Sequence, residues 1–140
     1  MNREAIWAKI FDVLTTIRDF QESGRKVIHW NDCPAFPAVY LNQGGETVRK
    51  PGRGIPSIYE LQADIYIYCR NDSNGVPAIQ INDLLDKVII ALLPPNPIDN
   101  KQTLGGIVED AWIEGEINRD EGVLGDFGVA IVPFRVLVSF

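Results

Sequence analysis

The chain has 140 residues, 46% of them hydrophobic and 23% charged, with a formal net charge of -6. That length fits one domain, residues 1–140, built on a single sizeable core, and no apolar run approaches the ~20 residues that cross a bilayer. The net acidity argues against general nucleic-acid binding, which needs a broad positive face.

The N-terminus lacks a charged region followed by an unbroken apolar stretch, so no signal peptide is expected. Cys33 and Cys69 are the two cysteines and form no CxxC pair; a reduced intracellular compartment with inert thiols fits them. Charge divides unevenly. Residues 1–56 carry eight Lys/Arg against six Asp/Glu, whereas residues 57–140 carry five against thirteen. Such polarity suits a protein whose two surfaces meet different partners, or copies of itself.

Residues 3–21 predict an amphipathic helix, with Ile6, Ile10, Val13, Leu14 and Ile17 at helical spacing and Trp7 and Phe11 widening the stripe. Ser23-Gly24 reads as its stop. A short strand is expected at 26–30, turn chemistry at 31–34, and a second strand at 38–42. Residues 43–56 then collect Gly44, Gly45, Pro51, Gly52 and Gly54 with Arg49, Lys50 and Arg53. They read as a flexible basic loop.

Residues 57–70 are the clearest strand of the first half. Leu61, Ala63, Ile65, Ile67 and Cys69 alternate with Gln62, Asp64, Tyr66, Tyr68 and Arg70. A turn at 71–75 leads to a helix at 77–93, with Pro77 in its first turn and Pro94-Pro95-Asn96-Pro97 ending it. A strand at 107–117, a loop at 119–126 and a strand at 129–140 complete the chain. Pro133 in the last strand points to an edge or a bulge, because it has no backbone donor. The order α-β-β-β-α-β-β predicts an α+β fold: a mainly antiparallel β-sheet with two α-helices packed on one face.

Catalytic chemistry finds little support. His29 is the single histidine and stands beside Trp30, where a structural imidazole is the ordinary reading. The basic loop is no phosphate cradle, since Lys50 is followed by Pro51 rather than Ser or Thr. Asp126-Phe127-Gly128 matches a kinase triplet in spelling only, in a chain too short for a kinase. The acidic group Glu109, Asp110, Glu114, Glu116, Asp120, Glu121 and Asp126 invites a divalent-metal reading. On a strand, however, Asp110, Glu114 and Glu116 form an outward row rather than a converging cage. No cofactor and no metal site is expected, and the row reads as a solvated or intersubunit face.

Several stretches carry a resemblance: the start Met1-Asn2-Arg3-Glu4-Ala5-Ile6-Trp7, the run Leu41-Asn42-Gln43-Gly44-Gly45-Glu46, and the strand Leu61 to Tyr68. Gln102 to Gly106, Trp112 to Glu116 and Asp120 to Gly125 add to it. Together they resemble small tail-assembly proteins of long-tailed bacteriophages and prophages, the tail terminator or tail completion class above all. The resemblance implies a virion protein, made in the bacterial host cytoplasm, without catalytic residues. It would form a ring, commonly hexameric, on the finished tail tube and present a surface to the head-tail connector, with DNA passing through the lumen.

A ring needs a heterologous interface, one patch meeting a different patch on the neighbour. Arg49, Lys50 and Arg53 on one side and Asp110, Glu114 and Glu116 on the other are a candidate pair, with the end of the tail tube as the other target of the three cations. The alternatives are a head-tail connector (neck) protein, a divalent-metal-dependent enzyme or ligand-binding domain using residues 109–116, and a nucleic-acid adaptor using the basic loop.

Overall fold

The computed structural model describes residues 1–70, 77–121 and 126–140. The turn expected at 71–75 and residues 122–125 of the expected loop lie outside this set. Helix α1 spans Arg3–Thr15, strand β1 Glu22–Gly24, β2 Ala38–Arg49 and β3 Ile58–Arg70. Helix α2 spans Pro77–Leu92, followed by β4 Asp110–Ile113, β5 Asn118–Glu121 and β6 Phe127–Ser139. The sheet runs β1-β2-β3-β6-β4, with β5 also on β6. All pairings are antiparallel except β1 with β2. The expected α+β architecture holds, with both helices on one face.

Helix α1 begins where Asn2 Oδ1 accepts the Ala5 backbone N–H at 3.0 Å, satisfying one of the helix's orphan donors. It ends six residues earlier than expected, at Thr15. The hydroxyls of Thr15 and Thr16 donate to the carbonyls of Asp12 and Val13, at 2.8 and 2.6 Å, and such back-bonding competes with helix continuation. Ser23-Gly24, read as a helix stop, belongs instead to β1. The strand expected at 26–30 is not formed; Trp30–Asp32 make a single 3-10 turn.

The core lies between the helices and one sheet face. Ile6, Ile10 and Leu14 of α1 and Ile81, Leu84 and Val88 of α2 meet Leu61, Ile65 and Ile67 of β3 and Val132, Phe134 and Val136 of β6. Burying a side chain of this size contributes about 1.5–3 kcal/mol, so this layer dominates the fold. The alternation expected in β3 and β6 is observed, since both are interior strands with one helix-covered face.

The other face is free of helices and only partly covered. At one end, residues 27–36 fold over it: Tyr68 Oη donates to the Ile28 carbonyl at 2.8 Å, and the Trp30 and Phe127 rings lie 4.4 Å apart. Tyr68, expected on an outward face, is buried there with Cys33, Ala38 and Tyr40.

Of the strand expected at 107–117 only β4, Asp110–Ile113, forms; the next strand, β5, starts beyond it at Asn118. Ile113 pairs with Phe134 and Asn118 with Ile131, so residues 114–117 bulge against β6. Gly115 takes φ +109° there, a conformation that favours glycine. Pro133, paired with Asp64 on β3, sits opposite this break. The residue that cannot donate therefore occupies an interior strand where its neighbour is irregular. Arg119 to Glu121, expected in a loop, belong to β5.

Candidate functional site

The basic segment is a β-hairpin over much of its length. Strand β2 continues to Arg49, which pairs with Ile58 of β3; the loop expected from residue 43 is thereby corrected to the connection 50–57. The glycines do not end the strand. Between Gln43 and Glu46 the register shifts by one residue, a bulge that glycine accommodates well. Gly44 needs its lack of a side chain, since a Cβ there would stand 3.1 Å from the Gln62 carbonyl oxygen.

The extra residue inverts the alternation. Val39 and Leu41 face the helices before the bulge, and Glu46 and Val48 do so after it. Thr47 and Arg49 consequently point to the open face. At the tip, Ile55 N–H donates to the Gly52 carbonyl at 3.3 Å, and Ser57 exchanges two backbone hydrogen bonds with Phe140 at 3.1 and 2.9 Å. The connection is thus tied to the end of the chain at its base. Arg49, Lys50 and Arg53 are all exposed, and among the described residues none of them makes an ion pair.

The acidic row is not one strand face. Asp110 is structural: its Oδ1 accepts from the backbone N–H of Gln102 at 3.0 Å and of Ala111 at 2.8 Å. Glu114 lies in the bulge, 3.8 Å from Arg135 Nε, and Glu116 is exposed beyond Gly115. Glu109 accepts from Ser139 Oγ at 2.8 Å. The three row members are thus brought along one sheet margin but given different jobs. Among the described residues, no three His, Cys, Asp or Glu side chains gather as metal ligands would. His29 is exposed and its Nδ1 accepts the Asn31 N–H at 3.1 Å, closing the 3-10 turn.

The fold sets these two charged regions apart. The basic hairpin belongs to β2 and β3, and the acidic margin belongs to β4, across the interior strand β6. Beyond Tyr40 no strand pairs with the outer side of β2 among the described residues.

Sequence reasoning missed an apolar groove of about 350 Å³ along β4. It is lined by Ile89, Leu92, Leu93 and Pro94 of the α2 end and by Trp112 and Ile113 of β4, with Asn100 and Asp110 as its polar members. Its floor depends on the segment after α2. Gln102 Nε2 donates to the Leu93 carbonyl at 2.8 Å, and its Oε1 accepts the Leu104 N–H at 3.1 Å. Leu104 and Val108 are buried in the core. The signal available was the apolar run Ile89 to Leu93 stopped abruptly by Pro94-Pro95, longer than one buried stripe requires.

The fold is shared with solved structures, one of which is informative. It is a chain in the virion of a native gene transfer agent (GTA) particle, aligned over 91% of this chain and 92% of that one with a TM-score of 0.55. Sequence identity is 14%, so the likeness is one of fold. No protein-family model matches the sequence, and no curated protein matches it. Among the described residues, no helix is long and apolar enough to cross a membrane.

Proposed function

We propose that the chain is a non-enzymatic virion assembly protein of a phage-like particle. It caps the tail tube as an oligomeric ring, hexameric in the finished tail, and helps join tail to head. The observation that carries this reading is the fold shared with a gene transfer agent virion chain over nine-tenths of both chains. The charge layout supports it. A ring is built by a heterologous contact, and this sheet carries free cations on one hairpin and carboxylates along the opposite margin.

A head-side connector of the same fold would dock on the opposite partner. Pull-down with purified tail tubes and, separately, with purified heads distinguishes the two roles. Retention on tubes is the expected result. Retention on heads alone moves the chain to the neck, and retention on neither removes the assembly role.

A further inference from the structure

We infer that the β2–β3 hairpin of one copy seats in the groove between α2 and β4 of a second copy, its apolar side chains in the groove and its cations on the acidic rim. This rests on the assembly reading above and gives it a specific contact.

Three features of the fold converge on this occupant. The first is charge. The hairpin presents Arg49, Lys50 and Arg53 against two carboxylates: Glu46, already held by Arg3, and Glu60, which pairs across from Thr47. Of the carboxylates along the β4 margin, Asp110 lines the groove itself, and Glu109, Glu114 and Glu116 flank it in sequence; Lys101 lies near Glu109, and Arg135 near Glu114. Opposed potentials of this kind orient partners and fix register.

The second is apolar exposure. Val48 and Ile55 on the hairpin are 54% and 51% exposed, and Ile90 and Leu93 at the α2 end are 66% and 53% exposed. Both regions gain by leaving water together. The third is topology. Strands β3 and β6 separate β2 from β4, about 14 Å at ordinary strand spacing. Held in the sheet by their pairing with β3, Val48 and Arg49 of β2 do not reach the chain's own groove, so the contact joins two copies through different patches.

The test is a charge exchange read by sedimentation velocity. The hairpin variant is Arg49→Glu, Lys50→Glu, Arg53→Glu; the rim variant is Glu109→Lys, Glu114→Lys. Asp110 is kept because it holds the 102–111 turn. The wild-type chain is expected to self-associate, each variant alone to associate at least tenfold more weakly, and an equimolar mixture to recover association. In the mixture, wild-type hairpin meets wild-type rim and reversed hairpin meets reversed rim. Unchanged association of either variant, failure of the mixture, or a wild-type chain that stays monomeric each overturns the contact.

A second measurement does not depend on charge. Mixed Ile55→Cys and Leu93→Cys chains are expected to form a disulfide between the two variants under mild oxidation, and its absence counts against the contact. Tube retention by a chain whose association ignores both reversals removes the hairpin contact and leaves the assembly role. Restored association without tube or head retention does the reverse.

Discussion

The Arg3 guanidinium grips the Glu46 carboxylate with two parallel hydrogen bonds, Nε to Oε1 at 2.6 Å and Nη2 to Oε2 at 2.9 Å. This pair exists because of the bulge at Gly44-Gly45. Without the extra residue, Glu46 would face away from α1 and the first turn of the helix would lose its tie to the hairpin. Arg3 also lies over the Tyr59 ring, 5.5 Å from its centroid. The helix start, the bulge and the hairpin base form one unit.

That unit has a pH signature. Its Arg3 hydrogen bond holds the Glu46 carboxyl below the ordinary glutamate value, outweighing the opposing effect of burial. A lowered folded-state pKa gives stability that is present above the unfolded value and lost as pH falls through the folded one. Glu46→Gln is therefore expected to flatten part of the acid limb of stability. Glu4, lowered by its hydrogen bond to Arg25, keeps the remainder. Urea midpoints measured from neutral pH downward check this, and superimposable acid limbs for variant and wild type would refute it.

Adjacent glycines in the bulge should respond differently to alanine. A Cβ at Gly44 presses on the Gln62 backbone carbonyl, whereas one at Gly45 meets open space. Gly44→Ala is expected to destabilise by roughly 1–3 kcal/mol, the usual cost of overpacking. Gly45→Ala should stay within about 0.5 kcal/mol, as surface changes do. Equal denaturant midpoints for the two variants would show that the bulge does not hold this geometry.

Among the described glycines, Gly128 is the most tightly enclosed. A Cβ there would fall 2.5 Å from Ile81 Cδ1 and 2.9 Å from Cys69 Sγ. Gly128→Ala should cost about 1–3 kcal/mol by forcing α2 from the sheet, and pairing it with Ile81→Val should recover part of the loss. A double variant no more stable than Gly128→Ala alone would place the strain elsewhere.

The buried group of Cys33, Ala38, Tyr40 and Tyr68 makes an alkaline prediction. Burial raises the Tyr40 phenol well above its ordinary value, with a further contribution from the 3.4 Å contact to Cys33 Sγ. Burial raises Tyr68 as well. A raised folded-state pKa gives stability that is complete below the unfolded value, near 10.0, and is lost as pH climbs above it. Ultraviolet titration should show two tyrosines ionising late or only on unfolding. Four tyrosines titrating together in the native protein would contradict that burial.

Much of the fold was legible where one physical rule acted alone. Strands β3 and β6 each have one covered face, so Leu61 to Cys69 and Ala130 to Val138 alternate without interruption. Elsewhere two rules collide. In β2 the bulge inverts the period at Gly44-Gly45, and an exposed polar edge from Gln43 to Arg49 has no apolar face to read. β1 is three residues of edge strand held by parallel pairing, which leaves no local pattern. The break at residues 114–117 lies opposite Pro133, sixteen or more positions along the chain. For the candidate site, residue identities were visible but not their employment. Asp110 reads as a free carboxylate until the N–H groups of Gln102 and Ala111 are seen pointing at it. The groove at Leu93 and Trp112 joins segments that only the fold brings together.

The ring proposed to close the tail tube can be looked for directly. Negative-stain electron microscopy of tail tubes from its own particle, assembled with and without the chain, tests it most directly. Ring-shaped density at one tube end and an end to further tube growth are expected when the chain is present. Bare ends and unchanged tube lengths at saturating chain would contradict it.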